Sequence, residues 1–248
     1  MSNAKNFGVQ SYCFRKIKEN AEIARKVREI GLDSIEVCAV HADFNDLPSW
    51  KSVIDQYQSE GVSIISIGVQ TFAGQDSEEA WFEAAALAGA KHISCHFQVN
   101  TFLTAIPKVR RWAEQYGLKV GIHTHGGYMF GGSQDVVRYL IDLGSPQIGL
   151  CIDTAWVMQT GPKHGTPVDW ARNFAGHITG VHYKDFTFGK DAEWMDTIVG
   201  EGNLDLPGFV QQLEADNFDG MAVLEYEADP DNPVPALKRC VERMRTLT

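Results

Sequence analysis

The chain has 248 residues, a formal net charge of −10 at pH 7 and 44% hydrophobic residues. This length suits one large domain, and the apolar content is sufficient for a substantial core. The acidic balance disfavours binding to nucleic acid, whose phosphates require a basic surface, and the apolar runs are far shorter than the ~20 residues of a membrane span. Helix and strand signals alternate without a linker-like segment, so we predict a single domain over residues 1–248.

Eight short, nearly continuous apolar segments rich in Val and Ile are predicted as strands buried on both faces. They cover residues 7–12, 33–38, 62–67, 91–96, 119–124, 147–152, 178–183 and 220–225. Segments with helical periodicity lie between them, for example 19–30, 77–88 and 101–116.

Five glycines separate a helical segment from the next strand, namely Gly31, Gly61, Gly89, Gly117 and Gly144. Glycine at this place typically adopts the left-handed conformation that ends a helix. A strand–helix unit that recurs eight times at this regular spacing predicts an α/β fold, a (β/α)8 TIM barrel. The alternative is a doubly wound open sheet. It more often carries a glycine-rich phosphate loop after its first strand, where this chain has SYCFR (11–15).

Polar side chains stand at the ends of several predicted strands, where the chemistry of such a barrel takes place. These residues are Glu36, His96, His123, His125, Asp153, His182 and Glu225, with Lys184 just beyond His182. Each has a structural explanation when taken alone, for example an Asp that caps the following helix. Four consecutive strands, the fifth to the eighth, carry a metal-competent residue, and their ends are neighbours in a closed barrel. This coincidence favours one shared site.

The segment KVGIHTHGGYMFGG (119–132) holds two histidines one residue apart, which the strand period of two directs to one face. Imidazole and carboxylate donors without thiolate suit Mn²⁺, Fe²⁺, Co²⁺ or Zn²⁺ with open coordination positions. They suit neither a structural zinc site nor a closed calcium cage. Such an ion can polarise a carbonyl and stabilise an enediolate. The glycines after His125 predict a loop that approaches the site closely.

The sequence resembles the xylose isomerase-like TIM-barrel superfamily, in its sugar phosphate isomerase/epimerase branch. The stretches that carry the resemblance are GLDSIEV, CIDTAW, GVHYKDF, GEGNLDLPGFVQQL and VLEYE, in the expected order over nearly the whole chain. The resemblance implies one divalent metal ion, with Mn favoured over Co, Fe, Zn or Mg. It implies the ligands His123, Asp153, His182 and Glu225.

Two positions depart from the family pattern. The epimerases have a glutamate, which also serves as a base, where this chain has His123. The His-x-His pair instead resembles the inosose dehydratase-like relatives. Many epimerases have a substrate-binding histidine where this chain has Trp156. Both departures weaken a standard epimerase assignment and leave the metal site intact.

We therefore predict a metal-dependent sugar isomerase or epimerase. It would remove a proton next to the carbonyl of a small sugar or keto-polyol through an enediolate. A dehydratase-type lyase is the alternative, and a non-catalytic sugar-binding barrel is a further one. The expected catalytic residues are Glu225, Lys184 and His125. The expected substrate contacts are Glu36, His96, Trp156 and Tyr12, with Phe14 and Phe72 adding to an apolar wall.

The five cysteines are scattered and form no CxxC pair. A reduced, cytoplasmic protein without disulfides is expected. The first residues also lack the basic-then-apolar pattern of a signal peptide. We expect a small-molecule substrate and no nucleic-acid or membrane partner, and a homo-oligomer is an open alternative.

Overall fold

The computed structural model describes residues 2–126 and 133–247. Eight parallel strands close into a barrel in the order β1, β10, β7, β6, β5, β4, β3, β2. These strands are β1 (Gly8–Gln10), β2 (Ser34–Val37), β3 (Ser63–Phe72), β4 (His92–Phe97), β5 (Lys119–His123), β6 (Ile148–Asp153), β7 (Ile178–Tyr183) and β10 (Met221–Leu224). The predicted (β/α)8 TIM barrel is confirmed, and each predicted strand corresponds to one of the eight.

Helices cover the outside of the barrel between successive strands. They are α1 (Asn20–Glu29), α2 (Leu47–Ser59), α3 (Glu79–Leu87), α4 (Phe102–Tyr116), α5 (Gln134–Gly144), α6 (Thr154–Gln159), α7 (Pro167–Asn173), α8 (Leu206–Ala215) and α9 (Val234–Arg245). In α4 the buried residues Ala105, Ile106, Val109, Trp112 and Ala113 recur at three- and four-residue spacing. That spacing places one apolar stripe against the strands.

The glycine pattern is confirmed at four of its five positions. Gly31, Gly61, Gly89 and Gly117 follow helices with positive φ angles of 84°, 68°, 76° and 66°. The prediction for Gly144 is wrong, because this residue is the last of α5 and is absent from the positive-φ residues. A Cβ atom there would lie 2.5 Å from Cδ1 of Ile148, so close helix–strand packing requires the glycine.

A two-stranded antiparallel hairpin interrupts the barrel pattern after β7. It consists of β8 (Asp185–Phe188) and β9 (Trp194–Thr197), with Phe186 opposite Asp196. Its two strands were not predicted from the sequence. Asp185 anchors the hairpin, because its carboxylate accepts hydrogen bonds from the backbone of Gly200, Gly202 and Leu204, each at 3.0 Å.

Most large apolar side chains lie between the strands and the helices. Phe14 and Phe72 belong to this core and are fully buried, so their predicted place in a substrate-binding wall is wrong. Phe72 packs against Trp81, Phe82 and Phe97 at centroid distances of 5.2, 5.6 and 5.8 Å. A cavity of about 1100 Å³ opens at the amino-terminal end of the barrel, opposite the strand ends with the polar side chains.

All five cysteines are buried and unpaired. Within residues 2–126 and 133–247, no helix combines the length and the apolar character needed to cross a membrane. The loop predicted from the glycines after His125 falls largely on residues 127–132, which lie outside the described residues.

The anchoring of the hairpin by Asp185 makes a prediction about stability. Asp185→Ala leaves three backbone N–H groups without their acceptor, and each unmet buried donor is costly. We expect the free energy of unfolding to fall by at least about 2 kcal/mol in urea titrations. Asp191→Ala, at an exposed position of the same hairpin, serves as the control and should change little. Equal effects of the two variants would contradict the anchoring role.

Candidate metal centre

Four buried side chains meet at the carboxyl-terminal end of the barrel. His123 ends β5, Asp153 ends β6, His182 lies near the end of β7, and Glu225 directly follows β10. One potential ligand atom from each lies within 4.8 Å of the others. These strands are consecutive around the barrel, and Asp153 pairs with His182 in the register of β6 and β7. The group could therefore hold a metal ion, and the individual ligand assignments remain predictions.

Three buried polar atoms of this group lack a hydrogen-bond partner among the described residues. They are Nε2 of His123, Oδ2 of Asp153 and Nε2 of His182, and the first two are 3.6 Å apart. Buried polar atoms without partners are rare because each costs free energy. A cation held by His123 and Asp153 would satisfy the unmatched atoms of these two residues. The donor set and these unmatched atoms therefore fit a divalent metal ion.

Asp153 divides its two carboxylate oxygens between two tasks. Oδ1 accepts hydrogen bonds from the backbone of Ala155 and Trp156, both at 3.0 Å, and so caps α6. Oδ2 is left for a ligand. The backbone N–H of Asp153 donates to Oγ1 of Thr124 at 2.8 Å, which fixes the residue further. Asp153 can therefore cap α6 through Oδ1 and still offer Oδ2 to a metal ion.

Burial and neighbouring charges decide the protonation of the group. Burial lowers the pKa of His123 well below its ordinary value, with His182 adding to the shift, so this imidazole is neutral and its lone pair can bind a cation. Burial raises the pKa of Asp153 to about 6, with Lys184 opposing the shift. Burial would also raise the pKa of Glu225, but Lys184 and His182 outweigh it and hold that pKa well below the ordinary range.

Glu36 lies behind His182 in the barrel interior and is fully buried. Its Oε2 accepts hydrogen bonds from Ser66 and Ser94 at 2.5 and 2.9 Å, and Gln10 donates to Oε1. Oε1 also lies 3.0 Å from Nε2 of His182, although the angles are not those of a hydrogen bond. We revise the predicted substrate contact, because both oxygens are engaged by protein groups. Glu36 is suited to orienting His182.

Lys184 is 1% exposed and lies among three carboxylates. Its Nζ donates to Oε1 of Glu225 at 3.1 Å and to Oε1 of Glu227, and it is 3.9 Å from Oδ2 of Asp196. The predicted catalytic lysine is therefore directly beside a candidate metal ligand. Glu227 and Asp196 were not predicted from the sequence as residues of this site. Glu227 could have been found, because it follows Glu225 by the strand period of two.

His125 and Trp156 form an aromatic wall at the side of the site. Their ring centroids are 4.4 Å apart, and the ring of His96 is 5.7 Å from that of His125. A Cβ atom on Gly126 would lie 2.8 Å from the indole of Trp156, so this approach requires the glycine. Burial lowers the pKa of His96 to about 2, which keeps it neutral. The substrate contacts predicted for His96 and Trp156 remain predictions.

Tyr12 lies on the turn that follows β1 and is half-buried. The guanidinium of Arg15 lies 4.9 Å above its ring. Its contact with substrate also remains a prediction.

The sequence pattern of the xylose isomerase-like TIM-barrel family matches residues 24–247. The chain belongs to this family.

Among curated relatives, an inosose dehydratase of Lactiplantibacillus plantarum is 27% identical over 137 residues, covering 50% of this chain and 45% of the relative. An inosose dehydratase of Mesomycoplasma hyopneumoniae is 20% identical over 205 residues, covering 75% and 65%. The chain thus spans less than two thirds of the length of either. A xylose isomerase-like TIM-barrel protein of Mycobacterium smegmatis, solved in complex with magnesium, superposes with a TM-score of 0.77 at 15% identity, covering 100% of this chain and 97% of that one.

The geometry separates the two histidines of the His-x-His pair. His123→Ala removes Nε2, a candidate ligand atom without a hydrogen-bond partner among the described residues, so we expect divalent-metal affinity to fall at least about tenfold. His125→Ala should keep full metal binding, because the ring packs on Trp156 instead. Equilibrium dialysis with Mn²⁺ followed by elemental analysis measures both, with exposed His164→Ala as the control. If His125→Ala loses the metal and His123→Ala keeps it, the assignment is reversed.

The environment of Asp196 predicts how the stability of the protein depends on pH. Burial raises its pKa to about 7, with Lys184 opposing and Glu227 adding to the shift. A carboxyl group whose pKa is raised in the folded state lowers the free energy of unfolding as the pH rises from its unfolded-state pKa of about 4 to its folded-state pKa. Metal-free wild-type protein should therefore lose stability relative to Asp196→Asn by a few kcal/mol over this interval, and the difference should then level off. Urea titrations between about pH 4 and pH 8 measure it. A pH-independent difference would refute the raised pKa.

Proposed function

We propose that this protein is a divalent-metal-dependent enzyme that removes a proton next to the carbonyl of a keto-polyol and expels a β-hydroxyl group as water. The observation that carries the proposal is the convergence of His123, Asp153, His182 and Glu225. Buried atoms of the first three have no hydrogen-bond partner among the described residues. The curated relatives named inosose dehydratase support the dehydratase outcome. Isomerisation of a small sugar is the second candidate, because it begins with the same proton removal.

The residues of the proposed centre have separate tasks. His123, Asp153, His182 and Glu225 would hold one divalent ion, with Glu36 orienting His182 through the contact at Nε2. When bound, the ion polarises the substrate carbonyl and stabilises the negative charge that develops during proton removal. The donor set contains nitrogen and oxygen but no sulfur, which suits Mn²⁺, Fe²⁺, Co²⁺ or Zn²⁺. Among these, the family resemblance favours manganese, and it is the ion we propose.

Glu225 is the proposed base. Lys184 and His182 keep it ionised at neutral pH, so it can accept the proton from the carbon next to the carbonyl. His123 cannot serve in this way, because its free lone pair would be committed to the ion. One carboxylate is sufficient for β-elimination, in which the C–H electron pair forms the new C=C bond and the β C–O bond breaks. The departing hydroxyl takes a proton from Lys184 or His125 and leaves as water.

The same arrangement disfavours two-base epimerisation. Inverting a stereocentre through an enediolate requires an acid–base group on each face of the reacting carbon. Relatives in the epimerase branch use a glutamate where this chain has His123. A single proposed base, Glu225, with the ammonium of Lys184 at 3.1 Å suits reactions on one face. Elimination or suprafacial isomerisation therefore fits the site better.

The proposal is tested by incubating the Mn²⁺-loaded enzyme with 2-keto-myo-inositol, and separately with D-fructose, in D₂O. We expect ¹H NMR to show loss of water from the keto-inositol. Whichever of Lys184→Ala and His125→Ala removes the proton donor should lower kcat at least about 100-fold. Lys190→Ala and His164→Ala are exposed controls and should leave kcat unchanged.

Two results would overturn the proposal. One is the absence of turnover for the whole panel by protein shown to be metal-loaded. The other is C3 epimerisation with solvent deuterium entering on both faces, at a rate insensitive to Lys184→Ala and His125→Ala.

A further inference from the structure

Asp196 is a buried carboxylate without a hydrogen-bond partner. Its side chain is 7% exposed, and neither Oδ1 nor Oδ2 accepts a hydrogen bond from the described residues. The backbone of Glu227 approaches it outside hydrogen-bond geometry, and the ammonium of Lys184 is 3.9 Å away. A buried carboxylate without donors costs stability, so the fold alone gives no reason for its presence. Asp196 therefore lacks a group that donates a hydrogen bond to its carboxylate.

The hairpin directs Asp196 into the proposed site. Alternation along β9 places it on the same face as Trp194. That face meets the site, because Trp194 stacks on Phe186 at 4.5 Å and contacts Trp156 at 5.2 Å, and Trp156 packs on His125. Asp196 therefore lies beside Lys184 on the side of the site that the hairpin closes.

The surroundings of Asp196 carry an excess of negative charge. Glu225 and Glu227 share Lys184 with it. The guanidinium of Arg15 forms no ion pair with these carboxylates among the described residues; its Nη1 and Nη2 donate to the backbone oxygens of Tyr12 and Glu227. A phosphate group placed here would meet carboxylates, and like charges brought together cost several kcal/mol. A hydroxyl group would instead supply the donor that Asp196 lacks.

We propose that Asp196 is a substrate-binding and specificity-determining residue. It accepts hydrogen bonds from substrate hydroxyls and restricts the site to uncharged polyhydroxy compounds, against their phosphate esters. The inference rests on the proposed function in so far as the ligand occupies the same site. It deepens that function by excluding phosphorylated sugars as substrates.

The test separates binding from catalysis by using probes without a carbonyl group, which cannot react. Isothermal titration calorimetry on the metal-loaded protein compares myo-inositol with myo-inositol 1-phosphate. Wild-type protein should bind myo-inositol at least about tenfold more tightly than its phosphate. Asp196→Asn should weaken binding of myo-inositol at least about tenfold, because the amide removes both the negative charge and one hydrogen-bond acceptor. For the same reason it should reduce the preference for myo-inositol over myo-inositol 1-phosphate. Asp191→Asn makes the same charge change at an exposed position of the hairpin and should alter neither value.

Three outcomes would overturn the inference. They are tighter binding of the phosphate by wild-type protein, no binding of either probe, and unchanged affinities in Asp196→Asn. Circular dichroism verifies the fold of each variant, and Asp196→Ser replaces Asp196→Asn if the latter does not fold. If wild-type protein binds myo-inositol as expected and Asp196→Asn weakens it, but the keto-inositol and D-fructose are not turned over, then the proposed reaction fails and this inference stands.

Discussion

The matching of buried charge inside a closed barrel is the constraint on which the site depends. Glu36 is fully buried, and a carboxylate there is tolerated only with donors around it. Ser66 and Ser94 supply two, and His182 lies beside its other oxygen. Nδ1 of His182 in turn lies 2.6 Å from Oε2 of Glu225. Each charge is thus placed by the next one, and the chain of contacts leads from the barrel interior to the candidate metal centre.

Most of the fold could be predicted because it follows from a repeated local pattern. Buried strands of parallel sheets are nearly continuous apolar segments, and the glycines that end helices mark the repeat. The failures have local causes. Gly144 owes its presence to the close approach of Ile148, a tertiary contact without a sequence signal. The β8–β9 hairpin escaped because its strands, DFTF and WMDT, are short and polar and resemble a loop.

The strand-end residues could be predicted to come together because barrel closure alone brings successive strand ends to one place. Their environment could not. The sequence around Glu36 does not show whether its side chain is free to contact a substrate or is hydrogen-bonded by three protein donors. Those donors come from other strands. The same holds for Asp196, whose proximity to Lys184 depends on a hairpin that the sequence did not indicate. Topology is thus readable from the pattern, whereas the surroundings of each carboxylate depend on tertiary contacts.

The distribution of carboxylates connects the proposed reaction with the proposed specificity. Lys184 is a single ammonium between Glu225 and Glu227, with Asp196 at longer range, so it cannot neutralise all three. Its contact with Glu225 keeps the proposed base ionised, which leaves Asp196 without a full counter-charge. A divalent ion at the strand ends would offset part of the negative charge, yet it would lie with its ligands, not at the hairpin. Asp196 would therefore still lack a full counter-charge when the divalent ion is bound. Hydroxyl donors from a neutral ligand would satisfy the carboxylate of Asp196 without adding charge.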